Sequence, residues 1–431
     1  MSKTAGQTKQ TICVRIGQQE LQVGKLIYVK SGAREFSQFS YSEEWLKNPN
    51  CFEVSPDLDL TTGYKARRAQ SKGESCFHFA FADTEPDAWG RRVINRAHAK
   101  ARKKDRTLSA LTELDYLIAV DDYSRIGALR LCDEEGNYHR VTEEGKRATP
   151  PLVDLKRIYQ ASRALEQNKE TVEDLRYLQG RGTSLGGLRP KCTMIDADGT
   201  LAIGKLPSVN DERDVTRGEV LALRLAGQAN IVVAGARIEE VDGTPVAIIT
   251  RFDRTKAGNR IHYLSAGSML QINRDNEHSY TEVVDIMRSK CADPVVDAKA
   301  LWRLLVFNLL ITNIDDHLRN LGFLYAGRGL WRLSPVFDLN PFPDKDRESK
   351  TWLSEDTGPI TDLSMLMDKA SYFYLDKPEA LQVLGEVYFA VKDWRTIALS
   401  PEIGLQQNDL EAFTPAFEHE AMEEAEDLLK N

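Results

Sequence analysis

Asn313-Ile314-Asp315-Asp316-His317-Leu318-Arg319-Asn320 directly follows an apolar run, Ala300 to Ile311, whose spacing predicts a helix. In phosphoryl transfer one carboxylate accepts the proton of the attacking hydroxyl and a nearby amide oxygen holds Mg²⁺. An Asp five positions before an Asn on one short loop can supply both. Asp315 and Asn320 have that spacing, whereas Asp316 is expected to point elsewhere and His317 to brace the loop. Past Asn320, Gly322-Phe323-Leu324-Tyr325, the turn Gly327-Arg328-Gly329 and Leu330-Trp331-Arg332-Leu333 predict a hairpin. It returns Val336-Phe337-Asp338-Leu339-Asn340 towards Asn320. Asn320 and Asp338 together suit Mg²⁺, which takes one or two protein ligands beside phosphate oxygens and water. A solvated acidic loop or a turn aspartate would explain either half alone; loop, hairpin and Asp in this order favour the chemical reading.

Upstream, Gly180-Arg181-Gly182-Thr183-Ser184-Leu185-Gly186-Gly187 is neither a Walker A loop nor a strict G-x-G-x-x-G, yet its glycines suit close backbone approach to phosphates. Strands are predicted over Lys191–Ile195 and Thr200–Lys205, joined by the turn Asp196-Ala197-Asp198-Gly199. A lysine on such a strand neutralises nucleotide phosphates, which gives Lys205 a role, and Glu219 on the following helix, Gly218 to Gln228, could pair with it. Strands around Ile231–Val233 and Val246–Phe252 complete a small lobe, and most of the chain beyond is helical.

The N-terminal part alternates in the strand period at Ile12, Val14 and Ile16, and again at Leu26, Tyr28 and Phe36 to Tyr41. Cys76–Phe81 reads as a strand, Pro86 to about Lys104 and Leu108 to Val120 as helices, and Ile126 to Leu131 as a strand. Charge and Pro150-Pro151 mark a boundary near residue 148. The expected architecture is α+β: an N-terminal accessory domain over 1–148, a lobe with the glycine loop and Lys205 over 149–254, and a helical lobe over 255–431.

A 431-residue chain that is 42% apolar and 28% charged can bury several cores, which excludes wholesale disorder. The net charge of −8 argues against a surface that coats nucleic acid throughout. Two basic stretches, 64–72 and 91–106, could contact DNA phosphates, although a solvated helix face is the commoner reading. No apolar run is long enough for a membrane span and no secretory signal is seen, so a cytoplasmic protein without membrane contact is expected. The six cysteines are scattered singly, as reduced structural thiols would be.

The sequence resembles the HipA-type serine/threonine kinase toxins over nearly its whole length. Gly24-Lys25-Leu26, Phe39-Ser40-Tyr41, Trp45-Leu46, Pro86-Asp87-Ala88-Trp89-Gly90-Arg91-Arg92 and Arg125-Ile126-Gly127-Ala128-Leu129-Arg130 look like N-terminal signatures of that family. Ser184 to Lys191 is similar to its Ser-x-x-Gly-x-x-x-Lys loop, and Asn313–Asn320 with Phe337-Asp338-Leu339 to its catalytic and metal segments. The resemblance implies a two-lobed protein-kinase-like fold and ATP- and Mg²⁺-dependent phosphorylation, with Asp315 as base and Asn320 and Asp338 on the metal. The implied nucleotide set is Gly182, Thr183, Ser184, Gly186, Gly187, Lys205, Glu219, Thr250, Arg251, Phe252, His317 and Arg319, with residues 249–252 as the hinge against adenine. Ser184 would be autophosphorylated as an off switch, since a phosphate there repels nucleotide. The implied partners are a HipB-like helix-turn-helix antitoxin, operator DNA through that complex, and an aminoacyl-tRNA synthetase as substrate. Leu188, Arg189 and Pro190 stand where many members carry Ala, Gln and Glu, Arg319 where Lys is common, and Thr250 where an acidic residue is frequent. The competing reading is a non-catalytic corepressor subunit bound with the antitoxin on operator DNA. A metal hydrolase built on Asp315, Asp316 and His317 is less favoured, because no second His/Asp cluster completes a two-metal site.

Overall fold

The alternating residues of the N-terminal stretch put one apolar face on a sheet of five antiparallel strands. A computed structural model describes residues 7–71, 73–139, 154–179, 187–272, 277–343 and 348–430. The sheet consists of β1 (Gln7–Ile16), β2 (Leu21–Ser31), β3 (Arg34–Tyr41), β4 (Lys65–Arg68) and β5 (Leu129–Cys132), in the order β4-β3-β2-β1-β5. Ile12, Val14, Leu26, Tyr28, Phe39 and Leu131 are buried on its inner face. Cys76–Phe81 is not a strand: Phe79–Ala82 forms a short helix capped at His78. All six residues of that run are buried, so no polar face sets a period, and an unbroken apolar run does not distinguish strand from buried helix. The helix expected from Leu108 begins only at Glu113, where Thr112 and Asp115 form a capping box.

The second lobe is a four-stranded antiparallel sheet of β6 (Lys191–Ile195), β7 (Leu201–Lys205), β8 (Ala236–Val241) and β9 (Thr244–Thr250), in the order β6-β7-β9-β8. The helix Val215–Gln228 packs against β8 and β9. Ile231–Val233 contributes one parallel bridge, Val233 to Val336, rather than a strand. That bridge ties the lobe to the segment carrying Asp338: Val336 N–H donates to Val232 O and Ala234 N–H to Val336 O, at 2.8 and 2.9 Å. The helices Leu155–Glu166 and Val172–Leu178 share a core with β6 and β7, and Trp89 and Val93 of the helix Ala88–Lys104 insert into it.

That last helix carries much of the second basic stretch, and part of it faces inward. Arg92 donates to the Leu165 and Glu166 carbonyls, while Arg96 and Lys100 both pair with Glu170. In the first stretch Lys65 pairs with Asp59 and Arg67 with Asp57. Exposed cations remain at Arg102, Lys103, Lys104 and Arg106.

In the third part β10 (Tyr263–Ser265), β11 (Gly322–Gly327) and β12 (Leu330–Leu333) form one sheet, and β13 (Trp352–Ser354) pairs with β14 (Gly358–Pro359). Helices surround Pro294–Leu310, which starts with an Asp293 cap and Pro at its first position and is apolar on nearly every side. The accessory domain seals against the β11–β12 hairpin: Phe52 stacks on Tyr325 with ring centroids 3.8 Å apart, and His262 Nε2–H donates to Val54 O. Among the described residues no helix is long and apolar enough to cross a membrane.

Candidate active site

A cleft of about 1050 Å³ lies where the two lobes and the accessory domain meet, lined by Gly187, Ile203, Lys205, Ile249, Phe252, His317, Arg319, Asn320, Phe337 and Lys350 among others. Strand β7 delivers Lys205 to its wall. The Lys205 Nζ lies 2.5 Å from Glu219 Oε1 and 2.7 Å from Asp338 Oδ1. Burial alone would lower the lysine pKa, but the two carboxylates outweigh it and hold the ammonium above its ordinary value. Burial pushes the Asp338 carboxyl up, yet the fields of Lys205 and Lys191 win and bring it down to about 2. Asp338 also adopts a left-handed backbone, φ 57°, which a non-glycine residue holds only where its surroundings enforce it. Those surroundings include the Val336 bridge and Asn340, whose N–H donates to Asn313 Oδ1 at 3.4 Å.

The loop after the apolar helix separates its two aspartates. Asp316 is buried and accepts from Tyr280 Oη at 2.8 Å and Lys350 N–H at 2.6 Å, and burial pushes its carboxyl up to about 6. Asp315 instead has its side chain about one-third exposed, paired with Lys350 Nζ, with His317 Nε2 3.8 Å away. Asn320 Nδ2 donates to Asp315 O at 2.9 Å, closing the loop on itself. Thr312, at φ 52° just beyond the helix, is pinned through its hydroxyl to Ala416 O. Arg319 lines the cleft and lies in the field of the buried Asp83 carboxylate.

Gly182, Thr183, Ser184 and Gly186 lie outside the described residues. Gly187 has φ 92°, and a Cβ there would stand 3.0 Å from Lys191 Nζ. In the stretch expected to form the hinge, Thr250 N–H donates to Gly235 O and Arg251 N–H to Leu201 O, so these two amides are already engaged. An adenine edge could be read from this strand only through carbonyls or from Phe252 onward. Phe252 lies 5.5 Å from the Phe337 ring, forming an apolar floor. The Arg251 side chain turns away, pairing with Asp253 at 2.5 Å and donating to Ser124 O at 2.5 Å.

Residues 183–408, more than half of the chain, match the family described as HipA-like C-terminal domain. The chain belongs to the HipA-like family. A curated protein of Sinorhizobium fredii named "Putative kinase Y4mE" is 25% identical over 324 residues, covering 70% of this chain and 71% of that protein. A Haemophilus influenzae protein named "Putative kinase" is 27% identical over 109 residues, 22% of this chain and 32% of the relative. The structure of Shewanella oneidensis MR-1 HipA with HipB and its operator DNA superposes with TM-score 0.67 at 15% identity, covering 97% of this chain and 99% of that one. At that identity the likeness is one of fold, and it gives this HipA-like chain the expected two-lobed, kinase-like α+β architecture.

Sequence reasoning missed the accessory wall of this HipA-like cleft. Arg91 bridges Glu85 at 3.0 Å and Glu113 at 2.7 Å, with its guanidinium over the Tyr116 ring. It is thus tied within the cleft wall rather than presented to DNA. Burial pushes the Glu85 carboxyl up to about 7 despite Arg91. Its folded pKa therefore exceeds the unfolded value of about 4.3, so between those limits the folded state binds more protons and this group's contribution to stability falls as pH rises. Glu85→Gln is expected to flatten that decline: the unfolding midpoint of the variant relative to wild type should improve from pH 5 to pH 8.

Proposed function

We propose that this chain is an ATP- and Mg²⁺-dependent serine/threonine protein kinase and the toxin of a toxin-antitoxin pair. The observation that carries the reading is Lys205, on the wall of a cleft also lined by His317 to Asn320, held between Glu219 and Asp338. Lys205 would neutralise nucleotide phosphates, and Asp315 would take the proton of the attacking hydroxyl. Asn320 and Asp338 would hold Mg²⁺. Among the described residues no three His, Cys, Asp or Glu side chains gather as a metal cage, which suits an ion completed by phosphate oxygens and water. A corepressor without catalysis has no need of this arrangement of charges.

By likeness to the Shewanella complex, the partners are a HipB-like helix-turn-helix antitoxin and operator DNA, with the exposed end of the helix Ala88–Lys104 as a candidate phosphate contact. The substrate class is an aminoacyl-tRNA synthetase, and phosphorylation of Ser184 would switch the enzyme off. The test is incubation of the purified protein with ATP, with and without Mg²⁺, followed by intact mass and peptide mapping. One phosphate on the Ser184 peptide, only with Mg²⁺, is the expected result. No mass gain together with no ATP binding would overturn the reading.

A further inference from the structure

Just before β13, Ser349-Lys350-Thr351 lies against the Asp315–Asn320 loop. Lys350 N–H donates to Asp316 Oδ1 at 2.6 Å and Thr351 Oγ1 to Asp316 O at 2.9 Å. On the other side Ser349 Oγ donates to Thr351 O at 2.7 Å and accepts from Ile360 N–H at 2.8 Å, and Trp352 N–H donates to His278 O at 3.0 Å. The backbone that carries Lys350 is therefore fixed from both sides. Its side chain is not: it is 55% exposed, lines the cleft beside His317, Arg319 and Asn320, and rests its ammonium on Asp315 Oδ1.

That placement conflicts with the role of Asp315 as a base. A carboxylate that takes the proton of an attacking hydroxyl must present an oxygen to it, and here a cation covers one of the two. The two lysines of the cleft differ in how firmly they are held. Lys205 is 14% exposed and fixed between Glu219 and Asp338, whereas Lys350 meets a carboxylate that is itself about one-third exposed. Exposed pairs of that kind are weak, and the four-carbon stem of lysine lets its ammonium swing. A terminal phosphoryl group carries more negative charge than a carboxylate and offers three strong acceptor oxygens, so it outcompetes Asp315 for the ammonium. Arg319, a second cation on this side of the cleft, already lies in the field of Asp83.

We propose that Lys350 is a catalytic residue that moves from Asp315 to the γ-phosphoryl group of bound nucleotide, so that the base is uncovered only when the phosphoryl donor is in place. The inference rests on the kinase reading above. In the transfer that follows, the acceptor oxygen bonds to the γ-phosphorus as the bond from that phosphorus to the β,γ-bridging oxygen breaks. The hydroxyl proton passes to Asp315, and ADP leaves with the electron pair of the broken bond. Lys350 moves no proton; it balances charge on the oxygens in transfer and returns to Asp315 once the γ-phosphoryl group has gone. Without nucleotide the Lys350–Asp315 pair is an autoinhibitory contact.

The experiment is titration of the full chain, with Mg²⁺, against N-methylanthraniloyl derivatives of ADP and of the non-hydrolysable β,γ-imido analogue of ATP, for wild type, Lys350→Met and Lys350→Arg. Single-turnover phosphorylation with ATP and unfolding midpoints without nucleotide accompany it. Lys350→Met is expected to weaken binding of the triphosphate analogue about tenfold, the scale of one lost charge-assisted contact, with ADP affinity unchanged. Transfer should slow by at least the same factor, and Lys350→Arg should recover most of the preference for the triphosphate. A merely structural role would weaken both nucleotides alike. The ratio of the two affinities within one variant does not depend on how much of that variant is folded, so a lowered midpoint leaves the comparison intact. Equal ratios in wild type and Lys350→Met, or transfer by Lys350→Met at the wild-type rate, would overturn the proposal and leave the kinase reading standing. A wild type that binds neither nucleotide would overturn the kinase reading itself.

Discussion

Asp315→Asn is expected to cut phosphoryl transfer about 10³-fold, within the range a positioned general base contributes, while ATP affinity and the unfolding midpoint stay near wild type. The loop does not depend on the Asp315 carboxylate for its shape. It is closed through the Asp315 backbone carbonyl by Asn320, and anchored below by Asp316, Tyr280 and the Lys350 amide. The carboxylate itself meets the half-exposed Lys350 and His317. Asp316→Asn should do the reverse: it disturbs a buried acceptor of two hydrogen bonds, so stability falls together with activity. Single-turnover transfer to the protein or to a peptide, read beside a thermal melt, separates the two. Transfer by Asp315→Asn at the wild-type rate would remove Asp315 as the base.

The contrast between these neighbouring aspartates shows what a sequence can disclose. The spacing of Asp315 and Asn320, the hairpin returning to Asp338, and Lys205 ahead of Glu219 are chemistries written over short distances, and they could be read directly. Lys350 on Asp315, Asp87 on Lys191 and Arg251 on the Ser124 carbonyl join distant segments, and no periodicity carries that information. Strand β8 escaped notice because Arg237, Glu239 and Glu240 make it a polar strand at the sheet edge, although the Asp242-Gly243 turn marked its end. The basic series from Arg91 to Arg106 looked like a solvated or DNA-facing surface. Its first half instead meets Glu85, Glu113, Glu170 and two carbonyls, partners that lie on other elements.

Asp253→Asn should be the most destabilising of the single changes considered. Asp253 is 2% exposed and accepts from Arg251, from Arg254 at 2.7 Å and from Gly127 N–H at 2.7 Å. Burial would raise its carboxyl, but the two guanidinium groups hold it well below the usual carboxylate range. Arg251 and Arg254 in turn donate to the Ser124 and Arg125 carbonyls, and Arg260 reaches Asp122. The strand leading out of the cleft is thereby fastened to the accessory domain. Burial already brings Arg254 down to about 9, against the pull of Asp253. An amide in place of the carboxylate leaves two buried guanidinium groups without their counter-charge, a loss of about 3–5 kcal/mol. Glu43→Gln, at an exposed pair with Lys47 whose side chains are both more than three-quarters exposed, should change stability by no more than about 0.5 kcal/mol. Urea unfolding of the two variants side by side checks the difference. Midpoints that fall equally would show that this cluster does not hold the accessory domain to the lobes. A large fall for Asp253→Asn alone would place the fastening beside the hinge, where Phe252 leads directly into Asp253.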